Sequence, residues 1–479
     1  MRTTNIWFPI NCIAIGLFLI IIILPLTKQG MFVDGIGYAA LAKNLSLGSG
    51  SIWQPHYSQT QFPVFYEHPA FAIYLQSLLF KFLGANSKAE QIYSLLMALG
   101  QFACVVWYWV RQSKRHVHAL GLLLFIWSII PLNHLYVSNQ LENTLTLFTT
   151  IATLILLIDT KSKTTFLCKY VISATAIILA FFCNGPAALF PILTPLIQTI
   201  VIIKPKNVVN GIRNTLFLTG LSILLFAIVC ALLPAAWINM QQYLMQQLLP
   251  SINGIRAPKF SGFMHLNIVL LYCRAYYLPS LFALVCLLIM AKMMNKTFAQ
   301  TLKKYCSDQI CLLFLILSLI SSLPVGISHR QSFNYIMQSA PFFTITVAHL
   351  CMRPWSVMML SCCEKNYKLF KAQSIIGMGM LFVSLVIVVE CSNGFNRDKF
   401  MLQDINQLIH YFKPYSIISA SPSVYYNWYT GAYFARWSMI SLSNQQNQLY
   451  YIMRNDEAIP KKYHKIDLPL KYYTIARRR

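Results

Sequence analysis

Apolar residues along this chain gather into long uninterrupted runs, each closed by Lys, Arg, Asn or Pro. Strong runs fall near residues 6–26, 89–110, 119–135, 141–159, 166–183, 187–203, 215–235, 271–291, 309–326, 335–350 and 374–391. About 20 helical residues cross a hydrocarbon core about 30 Å thick, so the pattern predicts about eleven transmembrane helices. One apolar stretch falls short. AFAIYLQSLLFKFLG, residues 70–84, is interrupted by Lys81 and predicts a helix lying in the membrane interface. After residue 391 the pattern changes: a polar helical period in KFMLQDINQLIHYF gives way to short strand-like runs, SIISA and QLYYIM. The expected fold is therefore an all-α polytopic membrane domain over 1–391, followed by a small soluble α/β domain over 392–479.

Charge orients the spans. If 70–84 does not cross, RQSKRHVH, TKSKTTFLCK, KPKNVVNGIR, KMMNKTFAQTLKK and RPWSVMMLSCCEKNYKLFK all fall on one side. The opposite loops, such as HLYVSNQLEN, CNGP and SHRQSFN, carry few cations. Lys and Arg collect in cytoplasmic loops, which puts the loop 27–69, the loop 236–270 and the tail 392–479 outside. The same rule explains the net charge of +25 without a nucleic-acid partner. With 57% hydrophobic and only 11% charged residues, a water-soluble fold is excluded. The first run follows Arg2, lacks an A-x-A-like cleavage site and reads as an uncleaved anchor. The 13 cysteines, scattered through apolar runs without C-x-x-C, read as packing residues.

Only 13 residues are acidic, so each needs a reason. Glu90 and Glu390 stand at helix ends and read as cap or headgroup-level charges. Asp34, in MFVDGIGYAALAKN, and Glu67, in YEHPAFAIYL, bracket one loop rich in aromatics: Phe32, Tyr38, Trp53, Tyr57, Phe65 and Tyr66. Glu142, in SNQLENTL, sits where a span enters the membrane from the same side. Ionisable groups at that depth are costly, and they suit a reaction between a lipid and a water-borne partner. A carboxylate there takes a proton from an acceptor hydroxyl, while nearby cations hold a leaving phosphate. Candidate cations are His68, Arg256, Lys259, Arg274 and Arg330. Asp34, Glu67 and His68 are also hard or borderline ligands for a divalent metal ion.

The order of these motifs resembles the GT-C superfamily of polytopic glycosyltransferases that use polyprenyl-phosphate sugars. The branch resembled is that of bacterial aminoarabinose (lipid A) transferases and protein O-mannosyltransferases. DGIGYAALAKNL stands for an Asp motif after the first helix, and FYEHPAFAIYLQ for a Y-x-E-K-P-P-like motif. NGPAALFPILTP stands for a K-G-P corner, and RQSFNYIMQSAPFF for a late basic-and-Tyr motif. The resemblance implies that Asp34 is the general base or acceptor-orienting carboxylate, with Glu67 as the second active-site acid. It implies that Arg330 and Tyr335 line the phosphate pocket of the donor and that Tyr38, Glu142 and Asn184 orient substrate. It further implies inversion at the anomeric carbon, a polyprenyl-phosphate sugar donor, and a lipid A, glycan or protein acceptor. The place implied is the periplasmic face of a bacterial inner membrane. Three positions depart from the family pattern: Gly35 where Glu is common, His68 where Lys is usual, and Asn184 where Lys precedes Gly-Pro.

Other classes compete. A transporter or flippase would show repeated halves and mid-membrane charges, and neither is visible here. An O-antigen-type polymerase or ligase would carry its main loop late in the chain. An inactive, binding-only relative is compatible with the changes at 35, 68 and 184.

Overall fold

A computed structural model describes residues 6–85, 88–112, 114–160, 162–203, 207–255, 264–329 and 331–479. The chain opens with α1 (Phe8–Thr27). Two helices follow in the first loop, α2 (Val33–Ser46) and α3 (Phe71–Leu83), with a two-residue ribbon, β1 (Gly50–Ser51) and β2 (Gln54–Pro55), between them. The bundle continues through α4 (Ala89–Gln112), α5 (Leu120–Ser128), α6 (Leu141–Leu156), α7 (Lys163–Asn184), α8 (Val208–Leu232) and α9 (Pro234–Tyr243). It closes with α10 (Met264–Met293), α11 (Phe298–Cys306), α12 (Gln309–Ser322), α13 (Ala340–Lys365) and α14 (Tyr367–Cys391).

Eight of the expected spans fall on seven described helical segments long and apolar enough to cross a membrane, 166–183 and 187–203 sharing the segment Lys163–Ile203. Their core is aromatic: Trp109, Trp127, Tyr136, Phe314 and Phe342 are all fully buried. Such large side chains remove the most apolar area per residue and interlock helices at fixed angles. The segment expected to lie in the interface forms α3. Its 13 residues span about 20 Å at about 1.5 Å per residue, too short for a bilayer core.

Two expectations shift. The basic segment 353–371, expected as a loop, is helical through Lys365 and broken only at Asn366, whose side chain accepts from Leu369 N and starts α14. Lys and Arg are good helix formers, so a run of them marks a polar helix end as readily as a loop. The run 187–203 is not a plain α-helix: residues 185–193 form a 3₁₀ helix containing Pro186 and Pro191. Each proline removes a backbone donor, and Gly185 at φ +69° turns the chain where any Cβ would be strained.

The C-terminal segment forms α15 (Lys399–Tyr411), α16 (Trp428–Ser438) and a five-stranded sheet. The strands are β3 (Ile417–Ala420), β4 (Ser441–Ser443), β5 (Tyr450–Arg454), β6 (Tyr463–Ile466) and β7 (Tyr473–Arg478), in the order β4-β3-β5-β7-β6. β3 pairs parallel with β4 and β5; β7 pairs antiparallel with β5 and β6. Leu402, Ile405 and Leu408 of α15 and Tyr433 and Phe434 of α16 cover one sheet face. Asp404 accepts from the backbone N–H groups of Lys471, Tyr472 and Tyr473, which pins the start of β7 to α15.

Glu90 does more than charge a helix end. It sits in the first turn of α4, 1% exposed, and accepts from Arg436 of α16 at 2.7 Å (Nη2) and 3.3 Å (Nε). The Arg436 guanidinium lies 4.6 Å over the Phe80 ring of α3. Lys43 of α2 completes the cluster, donating to the carbonyls of Arg436 and Trp437 at 2.8 and 3.1 Å. Burial, then the Arg436 charge, push the Lys43 amine down to about 8, with Glu90 pulling it the other way.

Breaking a buried ion pair from one side leaves the other charge unpaired, at a cost of about 3–5 kcal/mol. Arg436→Ala is therefore expected to lower the Tm of the purified protein markedly. Arg454→Ala, at an exposed pair with Asp456, is expected to leave Tm nearly unchanged. Equal shifts in a thermal melt of the two variants would refute the role assigned to the buried pair.

Candidate active site

Helix α2 carries two of the site residues. Asp34 lies exposed in its first turn, where the helix dipole favours an anion, and Tyr38 is buried one turn on. The loop then returns through the ribbon to Glu67, His68 and Pro69, just before α3. Glu142 enters from the first turn of α6, Asn184 from the last residue of α7, and Asn334 and Tyr335 from a 3₁₀ segment, Phe333–Ser339, that leads into α13. Five separate parts of the chain thus meet at one end of the bundle. Helices that begin there, α4, α6 and α13, run toward the Lys- and Arg-rich segments at the other end.

The geometry is a hydrogen-bonded chain. Glu142 Oε1 accepts from Asn334 Nδ2 at 2.7 Å and from Asn184 Nδ2 at 3.3 Å. Asn184 Oδ1 in turn lies 3.1 Å from His68 Nδ1. With the Asn184 amide nitrogen committed to Glu142, its oxygen is the acceptor, which assigns the proton of that pair to His68 Nδ1. Rings surround the imidazole: Tyr38 meets it edge-on at 5.9 Å, with Tyr243 at 6.3 Å and Phe65 at 6.4 Å. Burial, reinforced by the charges of Asp34, Glu142, Glu67 and Tyr335, pushes the Tyr38 phenol far up, so it stays a hydroxyl that donates and accepts. Burial, then Tyr335 and Glu142, raise Tyr243 in the same way.

Asp34, Glu67, Glu142, Tyr38, His68, Asn184 and Tyr335 are therefore brought together as the sequence suggested. Arg274 is exposed and stacks on Phe333 at 5.5 Å, beside Asn334 rather than on the carboxylates. Arg256, Lys259 and Arg330 lie outside the described residues. Among the described residues no three His, Cys, Asp or Glu side chains are grouped as a metal site. His68 Nδ1 is engaged by Asn184. Sequence reasoning missed Asn334 and Tyr243. Asn334 adjoins Tyr335 inside the late motif and was within reach; Tyr243 ends α9 with no spacing signal around it.

The departures from the family pattern have local causes. A Cβ on Gly35 would collide with the Ser138 carbonyl oxygen, so α2 and the segment before α6 touch backbone to backbone. Asn139, at φ +52°, locks that contact by donating to the Gly35 carbonyl at 2.8 Å. No side chain fits at 35, acidic or otherwise. His68 and Asn184 are hydrogen-bonded to one another, so the two replaced lysines are one change rather than two.

Gly35→Ala must displace backbone and is expected to lower both Tm and any site activity. Gly37→Ala, two residues on in the same helix with nothing within 4 Å of its Cβ, is expected to raise Tm slightly, because Ala favours a helix by about 1 kcal/mol over Gly. Melts of both variants check the opposite signs.

No protein-family model and no curated protein matches the chain. Solved structures do. ArnT from Cupriavidus metallidurans bound to undecaprenyl phosphate superposes with a TM-score of 0.66 at 10% identity, covering 96% of each chain. Its apo state gives 0.61 at 12% identity over the same 96% of each. The Archaeoglobus fulgidus oligosaccharyltransferase gives 0.51 at 12% identity, covering 93% of this chain and 68% of that one. At such identities the likeness carries architecture: this chain has the GT-C fold of these membrane glycosyltransferases.

Proposed function

We propose that this protein is a membrane glycosyltransferase that moves a sugar from a polyprenyl-phosphate donor to a hydroxyl of an envelope acceptor, whether lipid A, a glycan or an exported protein. The observation that carries the reading is the convergence of Asp34, Glu67 and Glu142 around Tyr38 at one end of a GT-C bundle. The undecaprenyl phosphate bound to the ArnT neighbour supports the donor class. Low charge around the site, with Lys and Arg gathered at the far end, supports a site on the periplasmic face of a bacterial inner membrane.

The chemistry asks little of covalent catalysis. The acceptor oxygen attacks the anomeric carbon as the C–O bond to the phosphate breaks, and the polyprenyl phosphate leaves with the bonding electrons. A single displacement inverts the configuration. Asp34, exposed at the start of α2, takes the acceptor proton, and Glu67 orients the sugar or acceptor. Glu142, held by Asn184 and Asn334, fixes the floor of the site beside Tyr38. His68 and Tyr335 are assigned to the donor phosphate, with Arg274 stacked on the adjacent Phe333. Positioning and electrostatics then supply most of the rate.

The test is mass spectrometry of lipid A, envelope glycans and exported glycoproteins from a deletion strain carrying wild type or Asp34→Asn at equal expression. Wild type is expected to restore a sugar-sized mass, and the variant to lose about 10²–10⁴-fold, as expected for removal of a general base. Restoration by both would remove Asp34 from catalysis; no change in any strain would sink the transferase reading.

A further inference from the structure

Helix α16 touches the first loop far more than a tethered soluble domain needs to. Tyr433 Oη accepts from Met31 N at 3.0 Å and donates to Met31 O at 3.3 Å, three residues before Asp34. At the other end of α2, Lys43 Nζ is held by the last carbonyls of α16. Met31 and Ile36 are buried in the apolar core of the C-terminal domain, while Ala435 of α16 is buried with Tyr38, Ala39 and Ala42. Farther along the loop, Gln59 N donates to Ser441 Oγ at 2.9 Å and Thr60 Oγ1 to the Leu442 carbonyl at 2.5 Å. Before α2, Gln29 N donates to the Gly394 carbonyl at 2.8 Å, and Asn396 N to the Gln29 carbonyl at 2.7 Å.

These contacts share a geometry. Each end of α2 is fixed by α16, and α16 is itself anchored to α4 through the buried Arg436–Glu90 pair. The bundle face of α2 is fixed independently, by Asn139 on the Gly35 carbonyl. With both ends of α2 held by α16 and Gly35 in its first turn held from the bundle side, rotation and axial slide of the helix are opposed, so α16 shares in setting the direction in which Asp34 and Tyr38 project.

We infer that α16 of the C-terminal domain is a positioning element for the site, with Tyr433 as the residue that sets the depth and rotation of the Asp34 end of α2. The inference rests on the transferase reading for its catalytic half alone; the mechanical half stands on contacts. Tyr433 touches no reacting group. It acts through the Met31 peptide, and an error of about 1 Å at a reacting group costs up to about 10²-fold in rate.

The experiment uses the full-length protein in detergent or nanodiscs, as wild type, Tyr433→Phe and Tyr451→Phe. Tyr433→Phe removes one hydroxyl and keeps the ring that packs on Trp437. Tyr451→Phe is the control, a buried tyrosine on the opposite face of the sheet. Hydrogen–deuterium exchange is read over residues 31–46 and over α6, together with Tm, and kcat and KM for a polyprenyl-phosphate sugar. Tyr433→Phe is expected to speed exchange in 31–46 and leave α6 unchanged. It should also lower kcat about tenfold or more with little change in KM or Tm, and the control should do none of this.

Unchanged exchange in 31–46 would overturn the mechanical half, and faster exchange with unchanged kcat would overturn the positioning role. A fall in Tm with kcat and exchange intact would reduce Tyr433 to ordinary packing. Wild type that transfers no sugar would instead refute the transferase reading. The coupling would then be judged on exchange and on carbodiimide labelling of Asp34, which should differ between wild type and Tyr433→Phe.

Discussion

Three ionisable side chains from three separate helices, all nearly out of water, form the arrangement on which the rest of this molecule depends: Arg436 pairs with Glu90, and Lys43 donates to the Arg436 and Trp437 carbonyls. Arg436, Glu90 and Lys43 are each at most 5% exposed. Burying any one alone would be prohibitive, and together they are tolerable only in the arrangement that pairs them. That requirement is directional in a way hydrophobic burial is not. Apolar faces slide against one another with small losses, whereas a guanidinium between a carboxylate and an aromatic ring has few acceptable poses. The apolar contacts give the assembly its affinity, and the charges give it one register.

The active-site end shows the same division of labour with neutral groups. Glu142 is held by two amides rather than by lysines, and His68 completes the chain. An amide bridge delivers direction without fixed charge, so the site remains net acidic unless cations on the neighbouring loops or on the substrate balance it.

Much of this was legible in the sequence, and the limits are physical. The spans were visible because bilayer thickness sets a length that composition must satisfy. Asp34, Glu67 and Glu142 stood out because acids are scarce. The end of α13 was misread because basic residues close helices as well as fill loops, and the 3₁₀ geometry of 185–193 because hydropathy does not register backbone donors. Glu90 was located correctly and its meaning missed. Its partner is Arg436, 346 residues away, and no local pattern encodes a contact at that separation.

The link between Met31 and Tyr433 joins residues 402 positions apart. At a synthesis rate of about 5–20 residues per second, the first loop emerges roughly 20–80 s before the hydroxyl that holds it exists. During that interval Glu90 and Lys43 have no Arg436, and they stay hydrated because nothing yet covers them. The charges that later specify a single docked state thus keep the unfinished loop soluble and open while the ribosome completes the chain. A chain that stops short of α16 carries every acid of the site without the contacts that hold α2 at both ends.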